Sequence, residues 1–335
     1  MTQILQRERV RGPRRRSGRG WSVPIRIGQA LLVLWATYTL TFFVLYLLPG
    51  DVVEQILASE GGTGGIHAGI DEQAVAELRA RYGLDKPVLV QYFTLLGKAL
   101  VLDFGVSVRL NQPVSELILM NLPPTLAVSA VALVIAVVFG FVIAFFATYV
   151  QSPWLRSVLT RLPAVGVALP GFFVGLILVQ VFAFGLGWFP SSGSGSWQQL
   201  VLPAVTMAIP TAALIAQVLT KSLSGVLAEP YIVTARAKGL SEATIRFRHA
   251  LKNASFPALT LFGMLVGSTV TGAIITETVF SRQGIGRLVQ QAVMGQDIPL
   301  VQGIVVLGAL AFVTVSLIVD LLYPLLDPRL RRSTT

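Results

Sequence analysis

The residues that could carry out chemistry are few in this chain and lie far apart. The 335 residues include no cysteine and only two histidines, His67 and His249. The absence of cysteine excludes disulfides, thiol catalysis and thiolate metal sites. The one Gly-Lys pair, Gly97-Lys98, is followed by Ala99 instead of the Ser or Thr of a phosphate-binding loop. With no GxSxG or HExxH motif either, the sequence indicates no catalytic site, no bound cofactor and no metal site.

The polar segment 229–257, EPYIVTARAKGLSEATIRFRHALKNASFP, shows a more organised pattern. Pro230 suits the first turn of a helix, and Gly239 suits the left-handed residue that ends it. Ser241 can cap a second helix, with Glu242 favourable in its first turn. We therefore predict two short helices joined at Gly239, with Pro257 opening the apolar run that follows.

The second of these helices has two distinct faces. Ala243, Phe247, Ala250 and Ala254 form an apolar line, and Arg246, His249 and Asn253 share another face at helical spacing. A loop that only anchors charge needs no caps and no apolar face. The segment is therefore either a shaped docking surface or a helical version of a basic cytoplasmic loop.

The apolar runs that flank this segment indicate a membrane protein with several spans. The chain is 54% hydrophobic and 13% charged, and runs of about 20 apolar residues recur along it. We predict an all-α fold with six transmembrane helices, at roughly 28–48, 124–149, 163–186, 200–221, 257–279 and 300–323. A shorter apolar segment at 88–102 is predicted to form an interfacial or packed amphipathic helix, with Asp85 as its cap and Pro87 in its first turn.

The distribution of basic residues predicts the orientation. The side that carries both termini holds 19 of the 26 Lys and Arg residues, counting Lys221 at the end of the fourth span. Positive residues mark the cytoplasmic side, so both termini and the 229–257 segment are predicted to be cytoplasmic. The net charge of +10 is thus mainly a topology signal, and we expect contact with membrane lipids but no nucleic-acid partner.

These elements divide the chain into three parts. An Arg-rich cytoplasmic tail is predicted at 1–27, a six-span domain at 28–323 and a cytoplasmic C-terminal tail at 324–335. Within the six-span domain, an acidic outer loop occupies 49–123 and a cytoplasmic loop occupies 222–256. The outer loop is long enough to have a role of its own, as a docking surface or as a solvated cap over the spans.

The 229–257 segment resembles the cytoplasmic EAA loop of ABC-importer permeases, in particular the first permease of the dipeptide/oligopeptide/nickel family. The motifs that carry the resemblance are Tyr231, Thr234 to Ser241, Arg248 to Leu251, Asn253-Ala254, Pro257, Leu48-Pro49-Gly50-Asp51, Tyr82 to Pro87, Asp103 to Ser107, Gly187 to Pro190, Glu277 to Phe280, Gly284 to Leu288 and Asp297-Ile298-Pro299. They cover roughly residues 25–330. Arg282-Gln283 and Ile298 depart from the family's usual aromatic-proline pair and tyrosine.

The resemblance implies a type I ABC importer permease fold in the cell membrane. It implies a complex with a second homologous permease, two cytoplasmic ABC ATPases and an extracytoplasmic binding protein, which together import di- or oligopeptides. This chain would hydrolyse nothing, since ATP and magnesium would bind to the ATPases. The first short helix would be the coupling helix that docks on an ATPase.

The resemblance also implies roles for particular residues. ATPase contact is expected from Tyr231, Ala235, Arg236, Ala237, Lys238, Gly239 and Leu240. Bracing of the loop is expected from Glu229, Arg248, His249, Asn253 and Pro257. The candidates for the translocation path are Gln180, Thr269, Thr271, Thr276 and Glu277, and those for binding-protein docking are Asp51, Asp85, Asp103, Arg287 and Asp297.

Two alternatives stay open at the level of sequence. The same type of importer could carry nickel chelates, haem, opines or glycosides in place of peptides. The chain could also be an ATP-independent channel or scaffold. A proton-driven carrier is disfavoured because acidic residues within the spans are scarce; Glu277 and Asp320 lie near the ends of the last two spans.

Overall fold

The computed structural model describes residues 23–47 and 86–326. Its helices are α1 (Val23–Leu47), α2 (Val88–Ala99), α3 (Val114–Tyr149), α4 (Pro153–Ala168), α5 (Gly171–Leu178), α6 (Gln198–Leu227), α7 (Pro230–Ala237), α8 (Glu242–Thr244), α9 (Leu251–Val279), α10 (Ile285–Met294) and α11 (Ile298–Leu326). Two π-helices continue α5 and α8, at Val179–Gly185 and Ile245–Ala250. The described part of the chain contains no strand, so the all-α prediction is confirmed.

The number of membrane spans depends on two bent helices. Helices α1, α3, α6 and α11 are each long and apolar enough to cross a bilayer alone. Two bent pairs of helices lie where the third and fifth spans are predicted. If each pair is one span, the number of spans reaches the predicted six. The 36-residue α3 and the 30-residue α6 exceed the minimum for a span and extend beyond the predicted limits of 124–149 and 200–221.

The predicted third span, 163–186, is not one straight helix. Its two parts, α4 and α5 with its π-helical continuation, meet at an angle of 103°. The break follows from Pro170, which forces the preceding Leu169 into an extended conformation with ψ 127°. Pro123 and Pro124, in contrast, lie inside α3 and do not begin it, so the second span starts ten residues earlier than predicted.

The start of the fifth span also differs from the prediction. Pro257 lies inside α9, which begins at Leu251. The helical segment bends by 44° between Leu259 and Leu261, and this bend lies just after Pro257 in the chain. A proline within a helix removes one hydrogen-bond donor, which locally weakens the helix and permits such a bend.

The centre of the protein is built from α3, α6 and α9, which pack closely through small residues. Ala132, Ala136, Ala208 and Ala212 are all buried in this core. At Gly140 a Cβ would lie 2.8 Å from a methyl carbon of Ile215 on α6, so glycine is needed for the close approach. Small residues at helix interfaces are typical of membrane proteins, whose helices gain mainly from van der Waals packing.

The helix predicted over 88–102 is confirmed as a short packed helix, α2. It buries Tyr92 against Tyr38 and Phe42 of α1, with the Tyr92 and Phe42 ring centroids 5.3 Å apart. The Tyr92 hydroxyl also lies 2.8 Å from Oγ1 of Thr39. Pro87 precedes the helix instead of lying in its first turn, and Asp85 lies outside the described residues.

Candidate coupling site and outer-face sites

The first helix of the 229–257 segment, α7, has the boundaries that its sequence predicts. Pro230 is its first residue, and Gly239 follows its end with φ +77°. The amide of Gly239 donates to the carbonyl of Arg236 at 2.9 Å, and that of Leu240 donates to the carbonyl of Ala235 at 3.3 Å. This pair of bonds is a Schellman motif, in which a left-handed residue satisfies the last carbonyls of a helix. The predicted elbow at Gly239 is confirmed.

The second helical segment is capped as predicted but contains a π-helix. The side chain of Ser241 accepts a hydrogen bond from the amide of Thr244 at 3.3 Å. The π-helix Ile245–Ala250 then shifts the inward face, so that Ile245 and Ala250, five residues apart, are both buried. Ala243, predicted to lie on the apolar line, is exposed, because the regular helical period used for that prediction does not hold here.

One face of α7 packs against the chain's own core. Ile232 and Ala235 are buried with Leu223 of α6 and with Ile245 and Ala250 of the π-helix. Ala235, for which the resemblance implies ATPase contact, is buried against this core. Its small side chain allows α7 to pack closely against the neighbouring helices.

The rest of α7 and the turn that follows it are largely exposed. Tyr231 and Ala237 of the helix and Lys238 and Leu240 of the turn are exposed, together with Val233, whose exposed fraction is 59%. Exposed apolar side chains on a charged surface are the usual composition of a protein-binding patch. We call these five residues the coupling face.

A charged brace links α7 to the C-terminal end of α3. Arg236 donates from Nε to Glu242 at 2.7 Å, and Glu242 also pairs with Arg246. Arg246, only 8% exposed, donates from Nη2 to the carbonyl of Thr148 at 2.8 Å and lies 5.4 Å from the ring centroid of Tyr149. Arg236 thus uses its guanidinium within the chain, although it was expected to reach a partner.

Arg246 is not among the site residues that the sequence predicts. Its position four residues after Glu242 was the available signal, because such a pair is adjacent on a regular helix. The hydrogen bond from Arg246 to the carbonyl of Thr148 is what connects the brace to α3, and it joins residues 98 positions apart. Helix periodicity contains no information about such a contact.

Of the residues predicted to brace the loop, only Asn253 makes a side-chain hydrogen bond within the described part of the chain. Asn253 donates from Nδ2 to the hydroxyl of Tyr231 at 3.1 Å and so joins α9 to α7. Arg248 is exposed and His249 is half-buried, and neither makes a side-chain hydrogen bond within the described part of the chain. Glu229 precedes α7 without a capping bond from its side chain. Pro257, inside α9, is exposed.

The candidate path residues mostly bond to their own helices. Thr269 and Thr276 are buried and donate to the carbonyls four residues earlier, at 2.6 Å and 3.4 Å. Gln180 is exposed on the first π-helix. The side chain of Thr271 lies outside the described residues. Among the described side chains, no hydrogen bond joins one of these candidates to another.

Glu277, the fifth path candidate, is a fully buried connector near the outer end of the spans. Its exposed fraction is 0%, and its carboxylate accepts from Thr125 Oγ1 at 2.6 Å and from the amide of Gly286 at 2.7 Å. Thr125 Oγ1 in turn accepts from the amide of Ile285 at 2.8 Å. The carboxylate therefore joins α3, α9 and the start of α10, and we call this set the Glu277 connector.

Two glycines leave the space that the connector needs. A Cβ on Gly284 would collide with the carboxylate oxygens of Glu277, and one on Gly286 would collide with the Cα of Ile274. In the sequence, the run from Gly284 to Leu288 is recognisable only as a motif shared with the family. The structure supplies its physical reason, which is the close approach of α10 to α9 around a buried carboxylate.

The buried Arg282 fixes the outer loop between α5 and α6. It donates from Nη1 to the carbonyls of Gly193 and Gln199, at 3.3 Å and 2.9 Å. Burial lowers the pKa of the Arg282 guanidinium from its ordinary value, and the nearby carboxylate of Glu277 acts in the opposite direction. Arg282, which departs from the family pattern, therefore has an internal structural role here.

The residues predicted to dock the binding protein differ in their exposure. Asp103 is exposed and accepts from the amide of Gly105 at 2.9 Å, and Arg287 is half-buried and donates to the carbonyl of Ser281 at 3.0 Å. Asp51 and Asp85 lie outside the described residues.

Asp297 is buried within the chain, with an exposed fraction of 1%. Its carboxylate accepts from Ser107 Oγ at 2.5 Å, from the amide of Arg109 at 3.3 Å and from the amide of Leu300 at 3.2 Å. It thereby caps α11 and holds the loop that precedes α3. A carboxylate with these internal partners has no surface available for docking.

Comparison with known proteins gives the family. Residues 136–332 match the family model described as binding-protein-dependent transport system inner membrane component. The chain is 36% identical over 292 residues to the glutathione transport system permease protein GsiC of Salmonella typhi, which covers 87% of this chain and 92% of the relative. The chain belongs to this family of ABC-importer permeases.

Further comparisons agree with this membership. The GsiC protein of Escherichia coli strain K12 is 34% identical over 298 residues, which are 89% of this chain and 94% of the relative. A chain of the MetNI methionine ABC transporter, solved in inward-facing conformations, is similar in fold, with a TM-score of 0.55 at 17% identity. That similarity covers 63% of this chain and 96% of the other.

The family membership determines the general role of this permease. It is a multi-pass inner-membrane subunit of a binding-protein-dependent ABC importer of the peptide family, working with ATPases and a binding protein. The subunit itself is not catalytic. The sequence predictions of family, fold, non-enzymatic role and membrane location are confirmed.

Proposed function

We propose that this permease imports di- or oligopeptides and is driven by ATPases that dock on α7. In this proposal it forms the translocation path together with a second homologous permease. The relatives are named for transport of glutathione, which is itself a small peptide. A peptide cargo is therefore the best-supported choice, and the family membership makes an ATP-independent channel or scaffold a poor alternative.

The observation that carries the coupling role is the two-sided character of α7. Its inner face is fixed to the membrane helices through Ile232 and Ala235, and its coupling face is exposed. A force applied to the exposed face would be transmitted to the spans, because the packed inner face leaves no room for independent sliding. The brace from Glu242 and Arg246 to α3 adds a second connection of the same kind.

The proposed contact with an ATPase consists of exposed residues only. Tyr231, Val233, Ala237, Lys238 and Leu240 would bind in a groove of the ATPase, with Lys238 facing acidic groups or carbonyls. Gly239 sets the angle at which the chain leaves this surface. Ala235 and Arg236 contribute from behind, by close packing and by the ion pair with Glu242.

The coupling role can be tested in the complete importer reconstituted in proteoliposomes. Lys238→Glu and Val233→Glu should lower ATP-driven peptide uptake about tenfold or more, since truncations at interface centres often cost 2 kcal/mol or more. Lys252→Glu, an exposed cytoplasmic residue outside the coupling face, is the matched charge control and should retain uptake. Normal uptake in both coupling-face variants, with the importer fully assembled, would refute the assignment.

The cargo needs a separate experiment. A labelled tripeptide should be displaced by unlabelled di- and tripeptides in the same proteoliposomes. Displacement by nickel chelates, haem, opines or glycosides, and not by peptides, would establish the alternative cargo. Identification of the ligand that copurifies with the binding protein gives an independent answer.

A further inference from the structure

A cationic cavity lies on the side that the charge pattern assigns to the cell exterior. Its volume is about 520 Å³, and it is formed between the loop that precedes α3 and the helix α10. Arg109 and Arg287 contribute guanidinium groups, and Gln290 and Gln291 contribute amides. Among the described residues, Asp297 is the one acidic residue in the lining.

The carboxylate of Asp297 does not neutralise the arginine side chains. It is buried and accepts from Ser107 Oγ and from the backbone amides of Arg109 and Leu300. Within the described part of the chain, the guanidinium of Arg109 makes neither a hydrogen bond nor an ion pair. That of Arg287 donates to one carbonyl, of Ser281.

Two buried carboxylates hold the walls of this cavity in place. Asp297 binds the backbone of Arg109 on one wall, and Glu277 binds the amide of Gly286, the residue before Arg287, on the other. Each carboxylate accepts its hydrogen bonds from backbone and hydroxyl donors, so within the described residues neither guanidinium group is neutralised by a carboxylate. Fixed walls and charges without a counter-ion are the features of a pre-organised binding site.

The surroundings of the cavity favour a protein as its occupant. Leu110 lies in the lining, and Met294 is 78% exposed at the end of α10. Arginine and methionine are enriched in protein interfaces, and a guanidinium group can bind a carboxylate through two parallel hydrogen bonds. The exterior location fits the binding protein on which this family of importers depends.

We propose that this cavity receives an acidic side chain, Asp or Glu, of the extracytoplasmic binding protein. The inference deepens the proposed function, since it names the contact through which the binding protein docks. It replaces the expected role of Asp297 in direct docking with a positioning role and adds Arg109, Gln290 and Gln291. Recognition consists of two guanidinium groups that bind the carboxylate, with the amides as further donors.

The test measures docking directly, without ATP. The importer is placed in nanodiscs of neutral phosphatidylcholine, and the Kd of its fluorescently labelled, peptide-loaded binding protein is determined at low salt. Arg109→Glu and Arg287→Glu should each raise the Kd about tenfold or more, as is typical for close charge pairs across interfaces. Lys98→Glu, an exposed residue of the same exterior side outside the cavity, should leave the Kd within about twofold.

Milder variants and salt separate this effect from misfolding. Arg109→Gln and Arg287→Gln keep the size and polarity of the side chains and should still weaken docking severalfold. The difference from wild type should shrink as ionic strength rises, because salt screens charges at an exposed site. A wild-type Kd in both charge-reversal variants would overturn the proposal.

Two other outcomes would also overturn it, by assigning the cavity to another ligand. If the Kd is unchanged but the variants lose discrimination between peptides with a free and an amidated C-terminus, the cavity binds the substrate. If the variants differ from wild type only in anionic lipid, it binds a lipid headgroup. Because docking is measured without ATP or uptake, failure here leaves the peptide-import proposal standing, and failure of that proposal leaves this one testable.

Discussion

Removing one hydroxyl group, by Thr125→Val, tests the Glu277 connector most directly. The substitution preserves the shape of the side chain and deletes two short hydrogen bonds, one to Glu277 at 2.6 Å and one from the amide of Ile285 at 2.8 Å, together with a longer contact to the carbonyl of Asn121 at 3.3 Å. It leaves the buried carboxylate with one donor fewer and the amide without its acceptor. Both groups lie where water cannot easily replace the lost partner.

The expected cost follows from these two losses. A hydrogen bond to a charged group contributes about 1.5–3 kcal/mol, and an unsatisfied buried amide costs about 1–3 kcal/mol. Since some relaxation is expected, the net effect should be about 3–5 kcal/mol on the attachment of α10. At about 1.4 kcal/mol per factor of ten, opening of α10 becomes at least roughly a hundredfold more frequent.

Hydrogen exchange followed by mass spectrometry measures this opening. Amides at the start of α10 should exchange at least about a hundredfold faster in the variant, and the thermal midpoint of the purified subunit should fall by several degrees. Thr206→Val is the matched control, since that buried hydroxyl donates only to the carbonyl of Leu202 in its own helix, at 2.8 Å. The control should change little.

The reasoning fails if Thr125→Val leaves exchange of α10 at the wild-type rate while the subunit remains folded. It also fails if Thr206→Val has the same effect, because a general loss of threonine hydroxyls would then explain both results. Glu277→Gln should be milder than Thr125→Val. An amide at that position can still accept from Gly286 and donate to the hydroxyl of Thr125.

Three further substitutions test other parts of the structure. Arg246→Met should destabilise the brace by about 2–4 kcal/mol and lower the thermal midpoint, because it removes a buried guanidinium together with its ion pair to Glu242 and its bond to a carbonyl. Arg248→Met, at an exposed position, is the control. Gly239→Ala should cost about 1 kcal/mol, because its φ of +77° strains any residue with a Cβ, and should speed tryptic cleavage of the loop. Gly286→Ala should prevent close packing of α10 and accelerate its hydrogen exchange, whereas Gly272→Ala, in open space on α9, should be neutral or slightly stabilising.

Each of these three substitutions has an outcome that would contradict it. Equal thermal midpoints for Arg246→Met and Arg248→Met would show that the brace contributes nothing. A loop that resists trypsin equally in wild type and Gly239→Ala would remove the argument from backbone strain. Wild-type exchange in Gly286→Ala would mean that α9 can move away from α10 without cost.

The features that the sequence predicts correctly are those encoded by neighbouring residues. The apolar runs indicate membrane helices because a span must bury about 20 residues. The caps of α7 and α8 depend on Pro230, Gly239 and Ser241, each of which acts within four residues of its own position. Family membership followed from such local motifs together.

Some features were encoded locally but were predicted incorrectly. Pro170 indicates the bend in the third span, but the apolar composition on both sides of it favoured the prediction of one straight helix. The π-helix at Ile245–Ala250 shifted the buried face by one residue, so Ala243 was wrongly expected on the apolar line. Both errors come from applying one helical period to a segment that changes its period or direction.

The roles of the charged residues were decided by the tertiary structure. The contacts of Glu277 with Thr125, of Asp297 with Ser107 and of Arg246 with the carbonyl of residue 148 join positions 152, 190 and 98 residues apart. By its own sequence position, Glu277 resembles a path residue and Asp297 resembles a docking residue. A charged group is buried or exposed according to which other helices pack around it, and only the folded chain brings in the partners that satisfy it.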